Sequence, residues 1–289
     1  MMKKYFSLVL FAHSIFAMPF ALIGFFLGVS RTDAPFSWIK LLLVVLCMVF
    51  ARNAAMAFNR YLDRDIDAKN PRTADRDIPA GRVSAREAFL FVVLNCMLFM
   101  AATWFINPLC FYLAPVALFV VLFYSYTKRF TALCHLVLGL GLALAPIGAY
   151  IAVTGKFDLV PLLYSFTVLF WTGGFDIIYA LQDEDFDKQA KLHSIPSLLG
   201  RRRALQVSVA LHVLSACCVI APLFFSTFGP VYYIGLIFFC AMLVYQHLLV
   251  KPDDISKVNR AFATTNGIAS VIFAVCFLID TFIRTYPNI

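Results

Sequence analysis

Two acidic segments of similar design interrupt an otherwise apolar chain. The first runs Asn59-Arg-Tyr-Leu-Asp63-Arg-Asp65-Ile-Asp67 and the second, 120 residues on, Tyr179-Ala-Leu-Gln-Asp183-Glu-Asp185-Phe-Asp187. Carboxylates four apart on a helix repel one another unless a cation sits between them. Each segment follows an apolar run long enough to cross a bilayer. Two such clusters at a membrane surface suit a binuclear divalent-metal site, where the metals hold phosphate oxygens. If the helix before Asn59 continues, Arg52, Met56, Asn59, Asp63 and Asp67 share one stripe at about 100° per residue. Asp176, Tyr179, Asp183 and Asp187 form the matching stripe, while Asp65 and Asp185 point away.

Other readings compete. An EF-hand loop needs Gly at its sixth and Glu at its twelfth position, but Ala68 and Ala74, then Lys188 and Ser194, stand there. The acids could instead be solvated and paired with Arg64, Arg72 and Lys188, or bind a transported cation. The repeated spacing, Asn59 and an intramembrane Arg52 favour catalysis. Arg52 is placed to meet a substrate carboxylate, and Asp176 is the matching intramembrane acid.

These residues need membrane helices to position them. The chain of 289 residues is 62% hydrophobic and 14% charged, with 31 Phe and a mean hydropathy of +0.84, against roughly 45–50% and about 25% for a soluble domain. The expected fold class is all-α, a polytopic membrane protein of nine transmembrane helices in a single domain over 1–289. Spans fall near 6–29, 38–58, 86–106, 109–126, 131–152, 160–182, 204–225, 230–249 and 262–284. The run 5–29 is too long for a secretory h-region of about 7–15 residues and reads as the first span. Most of the 24 Lys and Arg then lie on one side, with Arg31, Lys40, Lys156 and Arg284 opposite. That bias places both acidic clusters in the cytoplasm. The net charge of +8 is topology signal and lipid contact, so no nucleic-acid partner is expected. The eight cysteines lie within spans without zinc spacing and read as buried free thiols. His13, His135, His212 and His247 are scattered singly and read as structural, and His193 is left open.

The motifs resemble those of the UbiA-type intramembrane aromatic prenyltransferases over nearly the whole chain, with 4-hydroxybenzoate polyprenyltransferases most alike. Asn59, Asp63 and Asp67, with Tyr179, Asp183 and Asp187, match the family's two acidic motifs. Arg72-Thr-Ala-Asp-Arg76 with Pro79-Ala-Gly81, Tyr124-Ser-Tyr-Thr-Lys128-Arg129, and Lys191 through Gly200 match its loops. Arg60 stands where the family often has Asp, and Asp77 where Pro is common. The resemblance implies a central cavity and Mg2+ held by Asn59, Asp63, Asp67, Asp183 and Asp187. It implies a polyprenyl diphosphate clamped by Arg64, Arg72, Lys128 and Arg129, and an aromatic acid acceptor at Arg52 and Tyr179. Asp183 or a neighbouring acid would take the phenolic proton. The expected setting is quinone biosynthesis in the cytoplasmic (inner) membrane. A naphthoate, homogentisate, haem or chlorin acceptor is the alternative, and a cation-coupled transporter the rival from another class.

Overall fold

The computed structural model describes residues 16–32 and 36–285. His13, Lys3, Lys4 and the first half of the first expected span lie outside them. The helices are α1 (Met18–Ser30), α2 (Trp38–Asp67), α3 (Ala85–Ile106), α4 (Pro108–Thr127), α5 (Cys134–Thr154), α6 (Leu159–Ala180), α7 (Glu184–Gln189), α8 (Ile195–Ile220), α9 (Pro230–Leu249) and α10 (Asn266–Thr285). Among the described residues, eight helical spans are long and apolar enough to cross a membrane, with α1 a shorter apolar helix beside them. The protein is thus an all-α, multi-pass membrane protein, and outside the helices the described residues pair only in one isolated bridge, Lys251 with Asp254.

Local chemistry sets the helix ends. Ser84 caps α3 in a reciprocal capping box with Glu87. Asn107 caps α4 through the Cys110 N–H and donates its amide to the Ile151 and Ala152 carbonyls, tying α4 to the end of α5. Gly155, at φ 68, closes α5 in the left-handed region that glycine adopts without penalty. Asp158 and Ser194 cap α6 and α8.

The helices divide into a dense half and an open half. In the dense half α1, α5, α6 and α8–α10 bury Phe20, Tyr164, Trp171, Tyr232, Phe239, Phe273 and Phe277 together. Gly24 of α1 lies so close to the Pro146 carbonyl of α5 that a Cβ would collide with it. Small residues allow such approaches where lipid supplies no hydrophobic drive between helices. Side chains also bind backbone across this half: Ser208 donates to the Gly174 carbonyl at 2.7 Å and Ser215 to the Thr167 carbonyl at 2.9 Å. A π-helical stretch at Arg260–Thr265 precedes α10, and Asn266 there donates to the Phe262 carbonyl while accepting from Trp171.

In the open half, α2, α3 and α4 bury few residues. With α5 and the start of α1 they line a partly open apolar cavity of about 350 Å³. It runs from Arg52 and Tyr124 near the acidic end of α2 to Ile151 and Phe157 at the other end. Trp38, Trp104, Phe105 and Tyr112 are exposed at the helix termini remote from the acids, as in an interfacial aromatic belt.

Three expected boundaries shift. The second span continues as helix to Asp67. The sixth ends at Ala180, and a 3-10 turn at Leu181–Asp183 separates it from α7. The seventh starts at Ile195 rather than 204, with a break at Gly200, whose φ is 74.

Candidate active site

The acidic end of the bundle is a polar cap of three loops joined by side chains. From α2, Asp63 is almost fully buried and receives Asn59 Nδ2 at 3.0 Å, Lys128 Nζ at 2.9 Å and Arg129 Nη2 at 2.8 Å. Arg129 also donates to the Leu62 and Ser125 carbonyls, which locks the end of α4 over α2. Asp67, one turn on and also buried, is held through both oxygens by Arg76 Nη1 at 2.7 and 2.8 Å. The continuous helix places Asn59, Asp63 and Asp67 together as the spacing requires.

The second motif is built differently. Because the 3-10 turn interrupts the helix, Asp183 and Asp187 do not continue the regular stripe that ends at Tyr179; this corrects the expected geometry. Asp183 turns toward the loop after α2. It accepts Arg72 Nε at 2.8 Å on one oxygen, Arg72 Nη2 on the other, and Asn70 Nδ2 at 3.0 Å. Arg72 Nη1 donates to the Tyr179 hydroxyl at 3.0 Å. Burial alone would lower the basicity of the Arg72 guanidinium, but its hydrogen bond to Asp183 and that carboxylate's charge raise it above the ordinary value. Asp187 accepts from Ser194 Oγ, the cap of α8, at 2.9 Å. The loop before α8 is stitched to α4 by the His193 N–H on the Lys128 carbonyl at 2.7 Å.

Arg64 does not join this cluster. It lies over the Tyr61 ring, donates to the Tyr61 carbonyl and faces the exposed Asp65. Arg52 stands at the head of the apolar cavity, beside Tyr124. Tyr179 stacks on Phe262 with ring centroids 4.2 Å apart. Arg60 turns inward, its Nη1 buried without a hydrogen-bond partner and in electrostatic range of Asp67, Tyr124 and Tyr179.

Two groups escaped the sequence reading. Arg76, quoted only as part of a motif, grips Asp67. The histidines are not single: His135 Nδ1 lies 2.7 Å from Asp176 Oδ2, and His212 Nδ1 lies 2.7 Å from His247 Nε2. These partners are 41 and 35 residues apart, and no local spacing reports them.

The donors that could hold a metal are hard oxygens from Asn59, Asp63, Asp183 and Asp187, with no thiolate among them. Among the described residues, no three His, Cys, Asp or Glu side chains converge on one point. The expected five-residue cage is therefore not preassembled. The donor set fits a hard ion such as Mg2+, which keeps waters and takes further ligands from phosphate rather than from an all-protein cage.

Comparison with known proteins gives concordant results. The model of the UbiA prenyltransferase family matches residues 17–274. A 4-hydroxybenzoate octaprenyltransferase of Tolumonas auensis is 32% identical over 237 residues, covering 81% of this chain and 82% of the relative. The apo structure of a UbiA homologue from Aeropyrum pernix K1 superposes with a TM-score of 0.84 at 31% identity, covering 93% of this chain and 98% of that one. A UbiA homologue from Archaeoglobus fulgidus bound to DMAPP and Mg2+, 20% identical, shares the fold with a TM-score of 0.76, covering 97% and 99% of the two chains.

Proposed function

Because the chain belongs to the UbiA prenyltransferase family, we propose that it transfers a polyprenyl group from an allylic polyprenyl diphosphate to 4-hydroxybenzoate in quinone biosynthesis. It is a membrane prenyltransferase, and the proposal concerns its substrates, its metal and the residue roles. One observation carries the reading: the loop that follows the first acidic motif binds the second through Arg72 and Asn70, at the end of the bundle where Arg52 and Tyr124 head an apolar cavity. That arrangement supports a diphosphate site next to a chamber for hydrocarbon. The relatives named for octaprenyl transfer to 4-hydroxybenzoate support the same substrates.

Asn59, Asp63, Asp183 and Asp187 would hold Mg2+, with Asp67 anchoring the site through Arg76. When bound, the metal supplies positive charge to the diphosphate as its bond to carbon breaks. Lys128, Arg129 and Arg72 line the same space and are placed to bind diphosphate oxygens by charge-assisted hydrogen bonds. Arg64, turned toward Asp65, is dropped from that set. The cavity excludes water from the allylic cation, which the Tyr124 ring at its head stabilises through its face. Arg52 meets the acceptor's carboxylate.

Both motifs face the cytoplasm of the inner membrane, and residues 1–289 act as one domain. The test is to incubate detergent-purified protein with 4-hydroxybenzoate, Mg2+ and a set of prenyl diphosphates and to read the products by mass. Prenylated 4-hydroxybenzoate is expected, abolished by EDTA and restored by Mg2+. Asp63→Ala or Asp183→Ala should remove nearly all of it from folded protein. Normal turnover in either variant would refute the assignment.

A further inference from the structure

We propose that Asp176, oriented by His135, is the base that takes the proton from the acceptor ring, an inference that rests on the reading of the chain as an aromatic prenyltransferase. Asp176 lies within α6, where a carboxylate is costly and marks function by default. From Trp171 to Leu181 every residue of this segment is buried except Asp176, Tyr179 and Ala180. The Asp176 side chain keeps 22% of its surface open, whereas His135 keeps 3%.

The pair is fixed from both ends. Ile195, at the start of α8, donates its backbone N–H to His135 Nε2 at 3.2 Å. That nitrogen is then an acceptor, so the ring proton sits on Nδ1 and is donated to Asp176 Oδ2 at 2.7 Å. Oδ1 takes no hydrogen bond from the described residues, and the side chain's partial exposure leaves it accessible. A histidine that orients a carboxylate in this way reverses the usual order of a catalytic dyad, and the carboxylate is the reacting group.

The other acids are committed. Asp63, Asp67 and Asp183 each face an Arg or Lys, and Asp187 accepts from Ser194. Asp176 lies seven residues before Asp183, about 10 Å toward the membrane at 1.5 Å per residue. It shares electrostatic range of Tyr124 with Arg52 and Asp63, and Tyr124 lines the cavity head. Asp176 lies outside the lining of that cavity but within electrostatic range of Tyr124 at its head, between the diphosphate site and the chamber, the level at which the prenyl carbon and the ring must meet.

The chemistry balances. The bond from prenyl C1 to the diphosphate oxygen breaks, and its electron pair leaves with the diphosphate. A new bond forms between C1 and the ring carbon beside the hydroxyl. The C–H bond at that carbon then breaks: its proton goes to Asp176 Oδ1, and its electrons restore the aromatic ring. His135 does not relay the proton, because Nε2 is occupied by the Ile195 N–H. The proton leaves from the open face of Asp176 to water.

The experiment compares 4-hydroxybenzoate with its analogue deuterated at both carbons beside the hydroxyl, using purified full-length protein, Mg2+ and a prenyl diphosphate. In Asp176→Asn, kcat is expected to fall about 100-fold or more with the KM for the diphosphate little changed. A primary isotope effect absent from the wild type should appear, because ring deprotonation becomes the slow step. His135→Ala should show the same signature more weakly, and His135→Asn, which keeps an N–H near the Nδ1 position, should recover most of the activity. The histidine series carries the test if Asp176→Asn does not fold. Folded Asp176→Asn with wild-type kcat, or a fall in kcat without an isotope effect in every variant, would overturn the role of Asp176. Wild-type protein that prenylates no 4-hydroxybenzoate would overturn the functional reading itself.

Discussion

Arg72 is the sharpest place to perturb the site, because its guanidinium, carried on the loop after the first motif, holds two residues of the second. Its Nε and Nη2 take the two oxygens of Asp183 in a fork, and Nη1 reaches Tyr179. Arg72→Lys keeps the charge but replaces the planar fork with a single point. The loss is about one charge-assisted hydrogen bond, roughly 1.5–3 kcal/mol. At ~1.4 kcal/mol per decade that is about 10- to 100-fold. Arg72 is 32% exposed, so water screens part of the interaction and Lys should fall near the lower figure. Arg72→Ala removes the charge as well and should reach the upper one. The assay is kcat/KM for the prenyl diphosphate at saturating acceptor, repeated across a Mg2+ titration. If Arg72 meets the diphosphate, added Mg2+ does not restore the loss. If it only holds Asp183 in place, the loss appears as a higher Mg2+ requirement. Arg72→Ala with kcat/KM within about twofold of wild type would refute the reasoning.

Other outcomes follow from the same geometry. Arg52→Ala should raise the KM for 4-hydroxybenzoate by about 10- to 100-fold through loss of a charge-assisted bond worth roughly 1.5–3 kcal/mol, leaving the diphosphate KM unmoved; a rise confined to the diphosphate would reassign it. Single cysteines introduced as Lys69→Cys and Gln189→Cys in a cysteine-free background should react with an impermeant thiol reagent only from the cytoplasmic side, and labelling from outside in intact cells would reverse the topology. Gly24→Ala drives a methyl group into the Pro146 carbonyl and should cost about 1–3 kcal/mol of stability, measured as a lower melting temperature of detergent-purified protein; an unchanged value would show that α1 and α5 separate freely.

The sequence exposed the first motif because one physical rule governs it. A continuous helix carries Asn59, Asp63 and Asp67 along one side, and α2 is continuous. The same rule misplaced Asp183 and Asp187, since a single 3-10 turn rotates everything after Leu181. Neither hydropathy nor spacing reports a three-residue turn. Lipid-facing helices are apolar on all sides, so their sequences carry little phase, and the inward faces of α5 and α6 could not be paired in advance. His135 therefore reads in sequence as a single structural residue and Asp176 as the intramembrane acid of its stripe, and only the packed helices show them as a pair. Arg64 and Arg72 have the same chemistry in sequence. They differ in structure because Arg64 lies on the outward flank of α2 beside Tyr61, and Arg72 lies in the loop that folds back over the site.

The ion pairs across the polar cap couple the two ligands of the proposed reaction. Two of the carboxylates offered to Mg2+ are already neutralised by cations offered to diphosphate: Asp63 by Lys128 and Arg129, Asp183 by Arg72. A metal ion that reaches Asp63 competes with those cations and frees them. A diphosphate that draws Lys128 or Arg72 away frees the carboxylates in turn. Each ligand thereby removes what the other must displace, and by linkage the gain in affinity is the same in both directions. On the proposed roles, the site works as one heterotropic unit: it binds Mg2+ or diphosphate weakly alone and both tightly together. It is therefore charged for reaction only when the complete donor substrate is present.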